Sequence, residues 1–328
     1  MTSLPSGLHV FYSNQVEHLA AQLALDLATY RGEEGSWKAA SIVVPNPNVK
    51  DYLRASFAEA FGAVANLEFR YLEGFWNRYA NRRLLDRATI FGSILSVLQN
   101  PETRQDPSLQ PLLHYLEGAP EDLKAIQLSQ RLAQHYERML LQRPDWIRNW
   151  DRGQVARGAE PASMEVWQRT LWRRLRRAWK DLEDPPVSLV DWLDDPTFAA
   201  APFPDVVFLF GMSHMAPAFH HALANVGAHS SVRLYLVNPC EEPWDRDPLQ
   251  RPALAADQDE PPEGDDPFFL HQDRSEVILQ RWARPAREQL RLLGGLATGD
   301  FLGQFVVSET PSLLRLSLIH ISEPTRPY

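Results

Sequence analysis

Residues 8–14 read Leu-His-Val-Phe-Tyr-Ser-Asn, a short apolar run that passes with hardly a break into a stretch of helical periodicity. From Gln15 to Tyr30, Val16, Leu19, Leu23 and Leu27 recur at helical spacing. A buried strand feeding directly into a helix commits the N-terminus to an α/β design, with a parallel sheet and crossover helices. In a nucleotide-hydrolysing domain of that design, this junction carries the phosphate-binding loop. Such a loop needs glycines that bring backbone N–H groups onto the phosphates, and a lysine that reaches the terminal ones. The turn here is Tyr12-Ser13-Asn14-Gln15, and no Gly-Lys dipeptide occurs anywhere in the chain. A chain of this fold without the loop works by binding, positioning or partner contact.

The same alternation continues. Ser41 to Val44 reads as a second strand, and it ends in Pro45-Asn46-Pro47, a cap residue followed by proline at the first helical position. The next helix gathers Val49, Tyr52, Leu53, Phe57 and Ala60 on one face, and Asn66 to Leu72 reads as a third strand. From Phe75 to about Asp195 the pattern is helical, broken at Pro101, Pro107, Pro111, Pro120, Pro144 and Pro185-Pro186. Val206 to Phe210 and Val232 to Val237 then return as continuous apolar strands that bracket a helix near Pro217 to Val226. The late strands have no other sheet to join. The expectation is one discontinuous α/β domain, residues 1–75 and 200–240, with an all-helical basic subdomain inserted at 76–199. An acidic, proline-rich loop follows at 241–272, then a helix at 273–296. Residues 316–328 differ in character, resemble translated adapter or vector sequence, and are set aside from fold reasoning.

Composition bounds the setting. With 328 residues, 44% of them hydrophobic and ten of them Trp, the chain can bury one large core or two moderate ones. A single cysteine, Cys240, rules out a disulfide within the chain and fits a reducing compartment. No apolar run reaches the roughly 18 residues that span a bilayer, and Met1 to Gly7 lacks a signal peptide's charged and apolar regions. The expectation is a cytoplasmic protein with no membrane partner.

The net charge of −9 conceals a division. Between Arg70 and Lys180 stand 19 Lys and Arg against 12 Asp and Glu, a net of +7, which leaves 14 against 30 elsewhere, a net of −16. A polyanion is repelled by the flanks and drawn to the middle. The densest part is Trp167 to Lys180, with six positive charges and no acid. On a helix Trp172, Leu175, Trp179 and Leu182 share a face, which makes the tryptophans core rather than base-stacking platforms, while Arg169, Arg173, Arg176, Arg177 and Lys180 fall mainly on the others. Such a face can track a phosphate backbone, each contact adding salt-dependent affinity without sequence information. A solvated helix surface has the same pattern, so both readings stay open. A second mixture lies at Trp76 to Arg87, where Arg78, Arg82, Arg83 and Arg87 read at helical spacing beside Phe75, Trp76 and Tyr79.

Other constellations are weaker. Gly211-Met-Ser-His-Met215 follows a strand as a nucleophile elbow would, but the elbow's last position must be small and Met215 is not. The same strand end carries no carboxylate to hold magnesium. His214, His220, His221 and His229 lack metal-ligand spacing, and the acidic run Asp257 to Asp266 lacks that of a calcium loop.

Taken together, Val10 to Asn14, Phe61-Gly-Ala-Val-Ala-Asn66, Gln142-Arg-Pro-Asp-Trp146 with Trp150, Val207 to Pro217, and Asn238-Pro-Cys240 with Trp244 carry a resemblance. In their order and spacing the chain resembles the N-terminal part of RecC, the gamma subunit of bacterial exodeoxyribonuclease V, the RecBCD helicase-nuclease. The resemblance implies a superfamily 1 helicase-like fold whose ATPase motifs have decayed. It also implies a subunit that binds RecB and RecD, splits the duplex, and channels the 3′-ended strand past a surface recognising the Chi sequence. ATP, magnesium, hydrolysis and cleavage then belong to the partners, and this chain needs no cofactor. At the Chi surface that the resemblance implies, part of it on the helix before Arg-Pro-Asp-Trp, Arg143 matches the family pattern and Glu137 is a conservative replacement of an acid, whereas the other positions Tyr71, Gln134 and His135 depart from it. RecC chains are several times longer than this one.

The sequence thus leads to a noncatalytic DNA-binding subunit of an ATP-dependent helicase and exonuclease complex for recombinational repair. Its candidate DNA contacts are Arg82, Glu137, Arg143, Arg169, Arg173, Arg177 and Lys180. The alternative is a protein-interaction scaffold without direct DNA contact.

Overall fold

A computed structural model of the chain describes residues 4–118, 121–156, 162–238, 284–294, 296, 299–303 and 305. The acidic stretch expected at 241–272, Cys240, Trp244 and the tail at 316–328 lie outside the described residues, as does the helix expected at 273–296 up to residue 283.

Six strands form one sheet: β1 (Gly7–Ser13), β2 (Ala40–Val43), β3 (Leu67–Arg70), β4 (Val206–Phe210), β5 (Ser231–Val237) and β6 (Gly299–Gly303). Their order is β3-β2-β4-β5-β1-β6, and every neighbouring pair is parallel. Both faces of the inner strands are buried, which is why β4 reads as an unbroken apolar run and its neighbours as largely apolar ones. On one face Phe11, Ile42, Phe208, Phe210 and Tyr235 pack with Leu19, Leu23 and Leu27 of α1 (Val16–Arg31) and with Leu53 and Phe57 of α2 (Pro47–Phe61). Asn46 caps α2 by accepting from the Val49 N–H at 3.0 Å. Ala60 is exposed, so the apolar face of α2 is one turn shorter than the spacing suggests. Gly62, at φ +75°, ends the helix with its N–H on the Ala58 carbonyl at 2.9 Å.

This core holds a buried ionic knot. The Asp26 carboxylate of α1 accepts from Arg233 Nε at 2.9 Å, from the Tyr235 hydroxyl and from Gln22 Nε2. Asp26 and Arg233 are 6% and 7% exposed, so this is a desolvated pair rather than a surface contact. The Arg233 guanidinium also lies 4.8 Å from the Phe11 ring centroid. Burial first, and the adjacent Asp26 charge second, push the Tyr235 hydroxyl well above its ordinary range.

The strand β6 and its pairing with β1 are absent from the sequence reading, which places no element between residue 296 and the tail at 316. A five-residue run bounded by glycines has too short an apolar pattern to announce itself. Before it stands α11 (Arg284–Gly294), whose Gln289 donates to the Met212 carbonyl.

The described residues divide into two compact units, those within 1–72, 204–215 and 226–328, and those within 73–203 and 216–225. The second unit is helical: α3 (Leu72–Tyr79), α4 (Arg87–Gln99), α5 (Gln110–Leu116), α6 (Glu121–Gln142), α7 (Pro144–Asp151), α8 (Ala162–Lys180), α9 (Leu189–Leu193) and most of α10 (Pro217–Gly227). Pro111 and Pro144 stand in the first turns of α5 and α7, where a missing N–H costs nothing. Its core gathers Ile90, Ile94, Leu98, Tyr136, Trp150, Leu171, Trp172, Leu175 and Trp179. Among the described residues no helix is long and apolar enough to cross a membrane.

Candidate nucleic-acid interface

The helix α8 is amphipathic at high contrast. Trp172, Leu175 and Trp179 are buried, and each indole is satisfied: Trp172 Nε1 donates to Asp151 at 2.9 Å and Trp179 Nε1 to Ser93 Oγ at 2.8 Å. Leu182 lies beyond the end of the helix and is exposed, so the apolar face closes at Trp179.

Six cations decorate α8, and the fold treats them differently. Arg174 Nη2 meets Asp106 at 2.6 Å, while Arg176 reaches Asp151 at 3.3 Å and Asp191 at 2.9 Å. The Asp106 carboxyl is held below its usual range, first by the Ser108 hydroxyl and N–H and then by Arg174, against the opposing effect of burial. At Asp151 burial wins over the neighbouring Arg176 and the carboxyl is pushed up. Arg173, Arg177 and Lys180 are exposed and meet no carboxylate among the described residues; Arg169, half-buried, touches only the Gly153 carbonyl, at 3.5 Å. At 100° per residue these four lie within about 80° of one another, along about 16 Å of helix.

The other candidates are held in ion pairs. Arg82 Nη1 binds Asp195 at 2.9 Å, and the Arg87 guanidinium binds Glu137, at 2.7 Å through Nε. Arg143 stands between α6 and α7, where the following proline forces it out of helical geometry (φ −134°, ψ 57°). Its guanidinium lies 4.2 Å from the Trp146 ring centroid and 3.5 Å from Asp145. Tyr71, Gln134 and His135 are exposed.

The basic set at 78–87 does not share a helical face. The helix stops at Tyr79, and residues 83–85 instead pair backbone to backbone with Val187, through Leu85 N to Val187 O at 2.8 Å and Val187 N to Arg83 O at 2.9 Å. Phe75 and Trp76 are buried core residues. Sequence reasoning missed the acids that choose among the α8 arginines, because Asp106 stands 68 residues before Arg174 and Asp191 belongs to a separate helix, α9.

At the end of β1 only Asn14 and Gln15 separate strand from helix. Ser13 is fully buried, its Oγ accepting from the Gln15 N–H at 3.1 Å and its carbonyl accepting from the Asn238 N–H at 2.9 Å. A phosphate cradle of eight residues has no room in a two-residue turn. After β4, Gly211 takes φ +71° and Ser213 is an exposed turn residue.

The model of the family described as RecC, N-terminal domain, matches residues 8–318. The chain is 25% identical to the RecBCD enzyme subunit RecC of Escherichia coli strain K12 over a 339-residue alignment that takes in 94% of this chain and 30% of that protein. It is 24% identical to the RecBCD enzyme subunit RecC of Haemophilus influenzae over 277 residues, 72% of this chain and 24% of that protein. The chain therefore spans less than a third of the length of these relatives. It belongs to the RecC N-terminal domain family.

Proposed function

We propose that this chain serves as a noncatalytic, DNA-contacting part of a RecBCD-type helicase and nuclease in recombinational repair of double-strand breaks, with RecB-like and RecD-like partners supplying ATP hydrolysis and cleavage. One observation carries the DNA contact: α8 turns its tryptophans into the core and presents Arg169, Arg173, Arg177 and Lys180 outward without a carboxylate partner among the described residues. The route is phosphate contact, which confers affinity and salt dependence but no sequence preference. The two-residue turn after β1 supports the division of labour, since a motor needs its phosphate loop there. In this reading the helical unit is an insertion in a helicase-like α/β domain and guides the 3′-ended strand. Arg143 and Glu137 are the residues through which a Chi-like sequence would be read.

The paired state of Arg82 and Glu137 favours a second reading for those two, as braces of a protein-interaction scaffold. Reversing Arg173, Arg177 and Lys180 to Glu separates the two readings. DNA contact through α8 predicts that the complex assembled with its partners loses retention of a tailed duplex; retention equal to the parent's would favour the scaffold.

A further inference from the structure

The four outward cations of α8 are not equivalent. Arg169 and Arg173, one helical turn apart, both border Gly153, in the turn that follows α7. Arg169 Nη1 donates to the Gly153 carbonyl at 3.5 Å. The Arg173 guanidinium occupies the space beside the Gly153 α-carbon, so that a side-chain carbon at 153 would stand 3.6 Å from Arg173 Nη1. Gly153 has φ +76°, a conformation glycine adopts without strain. The turn is firmly built: Gly153 N donates to the Trp150 carbonyl at 2.9 Å and Gln154 N to the Asn149 carbonyl at 2.8 Å. Buried Glu165, in the first turn of α8, ties it down further by accepting from Trp150 Nε1 at 2.8 Å and from Ala156 N at 2.7 Å.

Like charges four residues apart destabilise a helix. The fold provides counter-charges for Arg174 and Arg176 through Asp106, Asp151 and Asp191, yet provides none among the described residues for Arg169 and Arg173. Two guanidinium groups beside one hydrogen-bonded turn, each with donors to spare, are suited to an oxyanion that arrives from outside.

We infer that Arg169 and Arg173, seated over the Gly153 turn, form a discrete binding site for a phosphate group of a nucleic-acid backbone. The site deepens the reading above and rests on α8 meeting DNA. Arg177 and Lys180 then extend the track as point charges, while the Gly153 site fixes its register.

The test exchanges arginine for lysine, which keeps the charge and removes the guanidinium fork. With the full chain and a fluorescent oligothymidylate as probe, Arg169→Lys and Arg173→Lys are each expected to weaken binding about five-fold, and Arg177→Lys under two-fold. All three should leave the salt dependence unchanged. Gly153→Ala should weaken binding as Arg173→Lys does, with its melting temperature measured alongside because alanine is strained at positive φ. Equal, small losses at all three arginines with probe binding intact would overturn the discrete site and leave a plain basic face. Binding unmoved even by the Arg173→Glu, Arg177→Glu, Lys180→Glu triple would overturn both the site and the reading beneath it.

Discussion

Asp26 and Arg233 meet across 207 residues of sequence, inside the sheet core, and the consequences are energetic. Removing one partner leaves the other charge buried and unpaired, so Asp26→Ala is expected to cost about 3–5 kcal/mol, read as a lower urea midpoint. The double exchange Asp26→Leu, Arg233→Met should recover most of that loss, because an apolar pair of similar volume faces no desolvation. Failure of the double exchange to recover would mean that the Tyr235 hydroxyl and Gln22, both bonded to Asp26, matter more than the charges. Each member stands among apolar residues of its own element: Asp26 follows Leu19 and Leu23 at helical spacing, and Arg233 interrupts the strand Val232 to Val237 on the face it shares with Tyr235. That displacement is a visible signal of burial, but the identity of the partner is a product of the fold.

Asp106 sets a pH dependence. Its folded-state carboxyl titrates below the ordinary carboxylate range, so its contribution is fully present above the unfolded value of about 4 and is lost as pH falls through the folded one. The thermal midpoint of the parent should therefore fall more steeply than that of Asp106→Asn as pH drops below about 4. Parallel curves for the two proteins would contradict this assignment.

At the scale of elements, α8 separates the stability role of a charge from its binding role. Arg173→Glu, Arg177→Glu and Lys180→Glu each alter an exposed side chain with no carboxylate partner among the described residues, and each should change stability by within about 0.5 kcal/mol. Arg174→Glu puts a second acid against Asp106 and should destabilise by about 1–3 kcal/mol. Urea unfolding of the four variants checks the contrast, and equal losses would mean that the outward arginines carry structure after all.

The elements themselves are largely legible. The wholly apolar Val206–Phe210 announces a central parallel strand, the Asn46-Pro47 pair a helix start, and the tryptophan spacing of α8 its buried face. What escapes the sequence depends on distant pairing. The strand β6 forms because β1 offers it an edge. Residues 80–86 leave the helical path because Val187 binds their backbone, and Arg82 and Glu137 are occupied by Asp195 and Arg87, which lie 113 and 50 residues away. A charge count sees every arginine alike; only the fold decides which are neutralised.

For the whole molecule, the uneven charge and the curtailed β1–α1 turn point the same way. A basic middle section within a chain of net charge −9 favours a polyanion in one region of the sequence, and the two-residue turn after β1 leaves no room there for a phosphate cradle. The RecC relatives are more than three times as long as this chain. In the function proposed for α8, its outward cations meet phosphates. Four phosphate contacts on a single strand give a slope of log affinity against log salt of about −3. Fluorescence anisotropy of an oligothymidylate titrated with the full chain between low and moderate salt measures it directly. A slope near that value is expected, reduced toward zero by reversing Arg173, Arg177 and Lys180; an affinity that stays constant across the salt range, or a slope that survives the reversal, would rule out phosphate contact through α8.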